Sequence, residues 1–102
     1  MNYTYRFGEI RKRCRRGTRQ DIDEVIRQLD DEVDLPTTRA IDLYLGQVCN
    51  PAGIRRLEYF LFNGTQIQRN YCTLFFARRN DWDLVNRAYN QGLVDRVQAY
   101  SR

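Results

Sequence analysis

No histidine occurs anywhere in this chain. That absence removes the Ser-His and Cys-His routes to an activated nucleophile, and with them the commonest zinc ligand. Cysteine is scarce as well: Cys14, Cys49 and Cys72 stand far apart, with no Cys-x-x-Cys pair. An odd, scattered set argues against a disulfide framework and a structural metal, and predicts three small buried side chains. There is no Gly-rich phosphate loop. No two carboxylates are spaced for acid–base work, and Asp21/Glu24 and Asp30/Asp31 read as helix-end charges. The expectation is a protein that is not an enzyme and uses no cofactor. No apolar run approaches the roughly 20 residues that span a bilayer. The first ten residues, MNYTYRFGEI, lack the apolar stretch of a secretion signal, so a cytoplasmic or nuclear location without membrane contact is expected. Lysine is limited to Lys12 beside sixteen arginines, for which genomic base composition is the simplest account. Proline appears only at Pro36 and Pro51, and no Gly/Ser-rich linker divides residues 1–102.

Charge, by contrast, is plentiful and uneven. Arg6, Arg11, Lys12, Arg13, Arg15, Arg16 and Arg19 face only Glu9 in the first segment, whereas Asp21, Asp23, Glu24, Asp30, Asp31, Glu32 and Asp34 face only Arg27 in the next. Neighbouring segments of opposite sign can neutralise one another on folding, so the net charge of +4 says little about partners.

Helical periodicity runs through the rest. Ile22, Val25 and Leu29 form one face, with Asp21 and Asp23 in the first turn where the helix dipole favours acids. Asn50-Pro51 reads as an N-cap followed by proline at the first helical position, leading into Ile54, Leu57, Phe60 and Leu61. Asn80-Asp81 is a third start signal, ahead of Trp82, Val85, Ala88 and Tyr89. The three stripes superpose at spacings of 32 and 28 residues, and each is followed by a comparable turn segment: DDEVDL, FNGTQI and NQGLVD. A shorter helical segment precedes each one: FGEIRKRCRRG, TRAIDLYLGQ and CTLFFARRN. A helix pair recurring near every 30 residues is the signature of a stacked repeat.

These pairs resemble ankyrin repeats. The family unit has a first helix of the type T-P-L-H-x-A-A, a tight loop, a second helix of the type L-x-x-V-x-x-L-L and a Gly-containing loop. IRKRCRRG with DIDEVIRQLDDEVDL resembles one unit, with Ile10 and Cys14 inside. TTRAIDLYLG with IRRLEYFLFNGTQI resembles a second, with Ile41, Tyr44 and Leu45 inside, and CTLFFARRNDWDLVNRAYNQG a third, with Leu74 and Ala77 inside. The chain departs from the pattern at Arg13, where the family buries alanine, and at Glu32, in the place of a turn glycine that Gly64 and Gly92 retain. The resemblance implies an all-α, ankyrin-like solenoid of three helical hairpins, at about residues 5–35, 36–67 and 68–97. Polar capping helices would close its ends, the last running through Leu93, Val94, Val97 and Tyr100 with Arg96, Gln98 and Arg102 outward. HEAT-type or other helical hairpins are the structural alternative.

The resemblance also implies a binding face on the exposed side of each first helix and the adjoining turns. Position by position, that face comprises Lys12, Arg15 and Arg16, then Thr38, Arg39 and Gln47, then Arg69, Tyr71, Arg78 and Arg79. A strip so basic implies a protein partner with an acidic contact surface. Phe62 and Phe76 fall off the inner stripes and are expected to be partly exposed. Two other readings stand beside this one. RKRCRR (11–16) could grip the phosphates of a nucleic acid, with a steep salt dependence. An end of the stack could instead serve to oligomerise the protein.

Overall fold

The helix boundaries follow from local capping chemistry. The computed structural model describes residues 3–100, among which there are seven helices and no strand. They are α1 (Tyr3–Arg16), α2 (Arg19–Arg27), α3 (Leu35–Leu45), α4 (Pro51–Asn63), α5 (Gln66–Arg78), α6 (Trp82–Asn90) and α7 (Arg96–Tyr100). Thr18 and Thr65 each build a reciprocal capping box, with Asp21 and Gln68 respectively. Asp34 accepts from the Thr37 N–H, Asn50 from the Ala52 N–H and Asp95 from the Gln98 N–H. Asp81 starts α6 without any such bond, because the turn before it is made by Asn80 in the left-handed region at φ 61°. Gly17 and Gly92 take the same conformation at φ 61° and 74°, so those breaks need glycine or asparagine. Gly64 does not take it. It is needed for space instead, since a Cβ there would lie 2.7 Å from the Phe60 carbonyl oxygen.

The chain divides into two compact units, Met1–Arg56 and Leu57–Arg102. In the first, α1 packs against both α2 and α3. Its buried side chains include Ile10 and Cys14 of α1, Ile22, Val25 and Ile26 of α2, and Ala40, Ile41 and Leu45 of α3. Polar ties join positions 31 to 34 residues apart. The Tyr3 hydroxyl donates to Asp34, Arg6 donates to the Thr37 hydroxyl at 3.0 Å, the Asn50 amide donates to the Arg16 carbonyl at 3.1 Å, and Arg56 pairs with Asp23. The separations along the chain are 31, 31, 34 and 33 residues. Gly53 lets α4 lie directly on the Gly17 carbonyl, where any Cβ would collide with backbone.

In the second unit, α5 packs against α6 and α7, and α6 also touches α7. Phe75 and Phe76 meet edge to face at 5.0 Å between centroids, beside buried Leu57, Leu61, Cys72, Ala77, Val85, Ala88, Val94 and Ala99. Arg87 sits over the Phe62 ring at 5.1 Å and 3.7 Å from the Glu58 carboxylate.

The expected all-helical fold is thus present, with corrections in detail. Phe76 is buried rather than partly exposed, and Phe62 is half-buried under Arg87. In α5 the inward positions are Cys72, Phe75, Phe76 and Ala77, while Leu74 is half-buried. The expected single capping helix through Val97 is broken by a turn at 91–95, and Val97 is 69% exposed. Arg96 is exposed and Gln98 half-buried, while Arg102 lies outside the described residues. Cys49 is exposed, unlike Cys14 and Cys72.

Candidate binding face

The arginines of α1 divide by the side of the helix they leave from. Arg13 and Arg16 reach Asp21, at 3.4 Å and 2.8 Å. Asp21 is nearly fully buried, yet its carboxylate also accepts from the Thr18 hydroxyl at 2.8 Å and the Thr18 N–H at 3.3 Å. The bond from Arg16, with those from Thr18, holds the Asp21 carboxyl below the usual carboxylate range against the opposing effect of burial. Arg6 turns toward Thr37 and Asp34. The bonds from Thr37 hold Asp34 low in the same way. These residues join elements of the fold.

Arg11, Lys12 and Arg15 do otherwise. All three are exposed and make no hydrogen bond or ion pair among the described residues. Arg11 and Arg15 follow Phe7 at i+4 and i+8, which puts them along the same side of α1. Phe7 itself lines a groove of about 360 Å³ together with Leu35, Pro36, Arg39, Ala40, Leu43 and Tyr44 of α3. Leu35 and Leu43 are 60% and 66% exposed, and Arg39 stands between them, itself exposed and unpaired among the described residues. A single exposed leucine is ordinary on a folded surface, but here two share one groove with Phe7 and Tyr44.

The predicted site residues are distributed unevenly about this groove. Arg39 lines it, and Arg15 is exposed two turns beyond Phe7 on α1. Lys12 is exposed one position beyond Arg11, and Gln47 is exposed in the turn after α3. Arg16 is tied to Asp21. Thr38 was expected at the surface and is buried, with its hydroxyl donating to the Leu35 carbonyl at 2.8 Å. In the second unit, Arg69 donates to the carbonyls of Leu93 (2.8 Å) and Gly64 (2.7 Å) and to the Gln66 side chain (2.9 Å). That guanidinium braces two turns. Tyr71 is half-buried, Arg78 is exposed, and Arg79 lies over the Phe75 ring at 5.1 Å. Of the ten expected residues, Thr38 is buried and Arg16 and Arg69 are engaged by the fold, while Lys12, Arg15, Arg39, Gln47, Arg78 and Arg79 are exposed. Sequence reasoning missed Phe7, Leu35 and Leu43, and singled out Arg11 only within RKRCRR. The available signal was Leu35, Arg39 and Leu43 at i, i+4 and i+8, opposite the inner stripe of Ile41 and Leu45.

A second, polar hollow of about 260 Å³ is lined by Arg6, Gln28, Asp30, Glu32, Val33, Asp34 and Thr37. Its carboxylates serve the local backbone: Asp34 caps α3, and Asp30 accepts from the Glu32 N–H at 2.9 Å. Burial pushes the Cys14 thiol up to about 12 and raises that of Cys72 as well, so neither offers a thiolate near neutral pH. Among the described residues no group of three His, Cys, Asp or Glu side chains is placed to hold a metal ion, and no helix is long and apolar enough to cross a membrane. Comparison with protein-family models, with curated proteins and with solved structures finds no match to this chain.

Proposed function

We propose that this chain is an ankyrin-like stack of three helical hairpins that binds a protein partner with an acidic contact surface, and that it works without catalysis. The stack is supported by the polar ties of the first unit, which recur at 31 to 34 residues. In the second unit the Glu58–Arg87 pair spans 29 positions, close to the 28-residue spacing of the stripes it joins. Adjoining hairpins would then bury each other's apolar faces.

The observation that carries the binding reading is a set of cations without partners among the described residues: Arg39 in an apolar groove, and Arg11 and Arg15 on the side of α1 that carries Phe7, with Lys12 next to Arg11. Guanidinium groups present fixed forks that suit carboxylates, and they speed encounter with an acidic surface. The apolar floor would supply affinity that exposed ion pairs alone do not.

Capture from native lysate with tagged protein, with and without nuclease, tests this reading. The expected result is a discrete protein that survives nuclease and is lost when Arg11, Arg15 and Arg39 are all changed to Glu. Capture that disappears with nuclease and high salt would transfer these arginines to a nucleic-acid site. Capture unaffected by the triple change would place the contact elsewhere.

A further inference from the structure

We infer that the groove between Phe7 and α3 receives one amphipathic α-helix from the partner, carrying an apolar stripe flanked by acidic residues. This rests on the protein-binding reading above and specifies the shape and pattern of what is bound.

The stripe on α3 runs from Leu35 through Arg39 to Leu43, a length of about 12 Å along the helix axis. It alternates apolar, cationic and apolar groups at one-turn intervals. The matching surface needs two apolar anchors about two turns apart with a carboxylate between or beside them. On a helix those groups fall at i, i+3 or i+4, and i+7. Phe7 and Tyr44, both half-buried, give the groove side walls, so a single rod fits it better than a broad flat face.

An extended segment fits less well for a backbone reason. The N–H and C=O groups of α3 between its ends are engaged within the helix, so the groove offers almost no main-chain partners. A strand lying there would lose its bonds to water without replacement, whereas a helix arrives with its backbone already satisfied. Charge sets the sign of the flanking residues. Arg39 lies in the groove, and Arg11 and Arg15 share the side of α1 that carries Phe7, all three without a partner among the described residues. A second copy of this chain is a poor occupant for the same reason. Its own exposed apolar stripe on α3 would bring Arg39 toward another Arg39. Nucleic acid would satisfy the arginines but leave Leu35 and Leu43 against phosphate.

Selection from a displayed library of random peptides of about 14 residues, roughly four turns, tests this with the full chain as bait. Leu43→Glu and Arg39→Glu serve as counter-baits. Both positions are exposed, so neither change disturbs the core. The expected pool has apolar residues at i, i+3 or i+4, and i+7 with Asp or Glu beside them. Its members should gain helical signal on binding and lose at least about tenfold in affinity to each counter-bait. Acidic peptides without the apolar stripe, sensitive to Arg39→Glu but indifferent to Leu43→Glu, would overturn the groove assignment and leave the basic-face reading standing. A pool indifferent to both changes, or no enrichment over the counter-baits, would overturn the groove assignment and remove its support from the broader reading. A drop in mass of the unliganded protein on Leu43→Glu, by sedimentation, would assign the groove to a second copy and overturn the proposal.

Discussion

The two units hold their helices together with different side chains, and the difference explains where the free charge ends up. The first unit uses carboxylates placed at helix starts, Asp21 and Asp34, each drawing one or two arginines inward. The second unit uses rings and carbonyls: Phe75 against Phe76, Arg79 over Phe75, Arg87 over Phe62, and Arg69 on two turn carbonyls. Arg69, Arg79 and Arg87 of the second unit are thus occupied by the fold. The first unit has more arginines than its helix-start carboxylates engage, and one of the surplus, Arg39, lines a groove with an apolar floor. A run of like charge becomes a functional candidate only after the charges the fold itself uses have been subtracted.

Substitutions can break this contrast at each level. The largest effect is expected for Phe76→Ala in the second unit. Removing a fully buried ring should cost about 4 kcal/mol by chemical denaturation, because the cavity cannot fill from a rigid aromatic pair. The counterpart in the first unit is Asp21→Ala. It removes a cap and leaves Arg13, Arg16 and the Thr18 N–H without their acceptor, for an expected loss of about 2–3 kcal/mol. The same residue predicts a pH dependence. Asp21 and Asp34 have folded values below their unfolded ones, so their contribution is present above about pH 4 and lost as pH falls through the lowered folded values. Asp21→Ala should therefore show a shallower acid slope than the parent in denaturation curves taken between about pH 5 and 2.

The sequence made the helices legible because apolar spacing reports burial directly, as at Ile22, Val25 and Leu29. It was less informative where one signal could serve two ends. FNGTQI reads as a turn, yet Thr65 and Gln68 form a capping box inside it, so α5 starts several residues before the predicted CTLFFARRN. Arg69 and Thr38 show the same limit at the site. Each looks polar and outward in one dimension, but the carbonyls that engage them come from other turns or the preceding turn of the helix. Leu35 and Leu43 were overlooked for the opposite reason, since a leucine in a helical stretch is read as core by default.

Smaller effects sharpen the contrast between the two kinds of arginine. Arg69→Met keeps the aliphatic stem but strips three charge-assisted bonds, and should lower stability by about 1.5 kcal/mol. Arg11→Met, with no bond to lose among the described residues, should stay within about 0.5 kcal/mol of the parent. Equal losses from the two would mean that the α1 arginines are structural too.

The most direct measurement of the central claim compares two charge-reversed proteins in binding the same captured partner. One carries Glu at Arg11, Arg15 and Arg39 of the first unit, the other at Arg78 and Arg79 of the second. The account predicts that the first loses binding by at least about a hundredfold while keeping its helical signal, and that the second stays within about threefold of the parent. Loss confined to the second protein would contradict it, and would return the binding face to the part of the chain where the fold already uses most of its arginines.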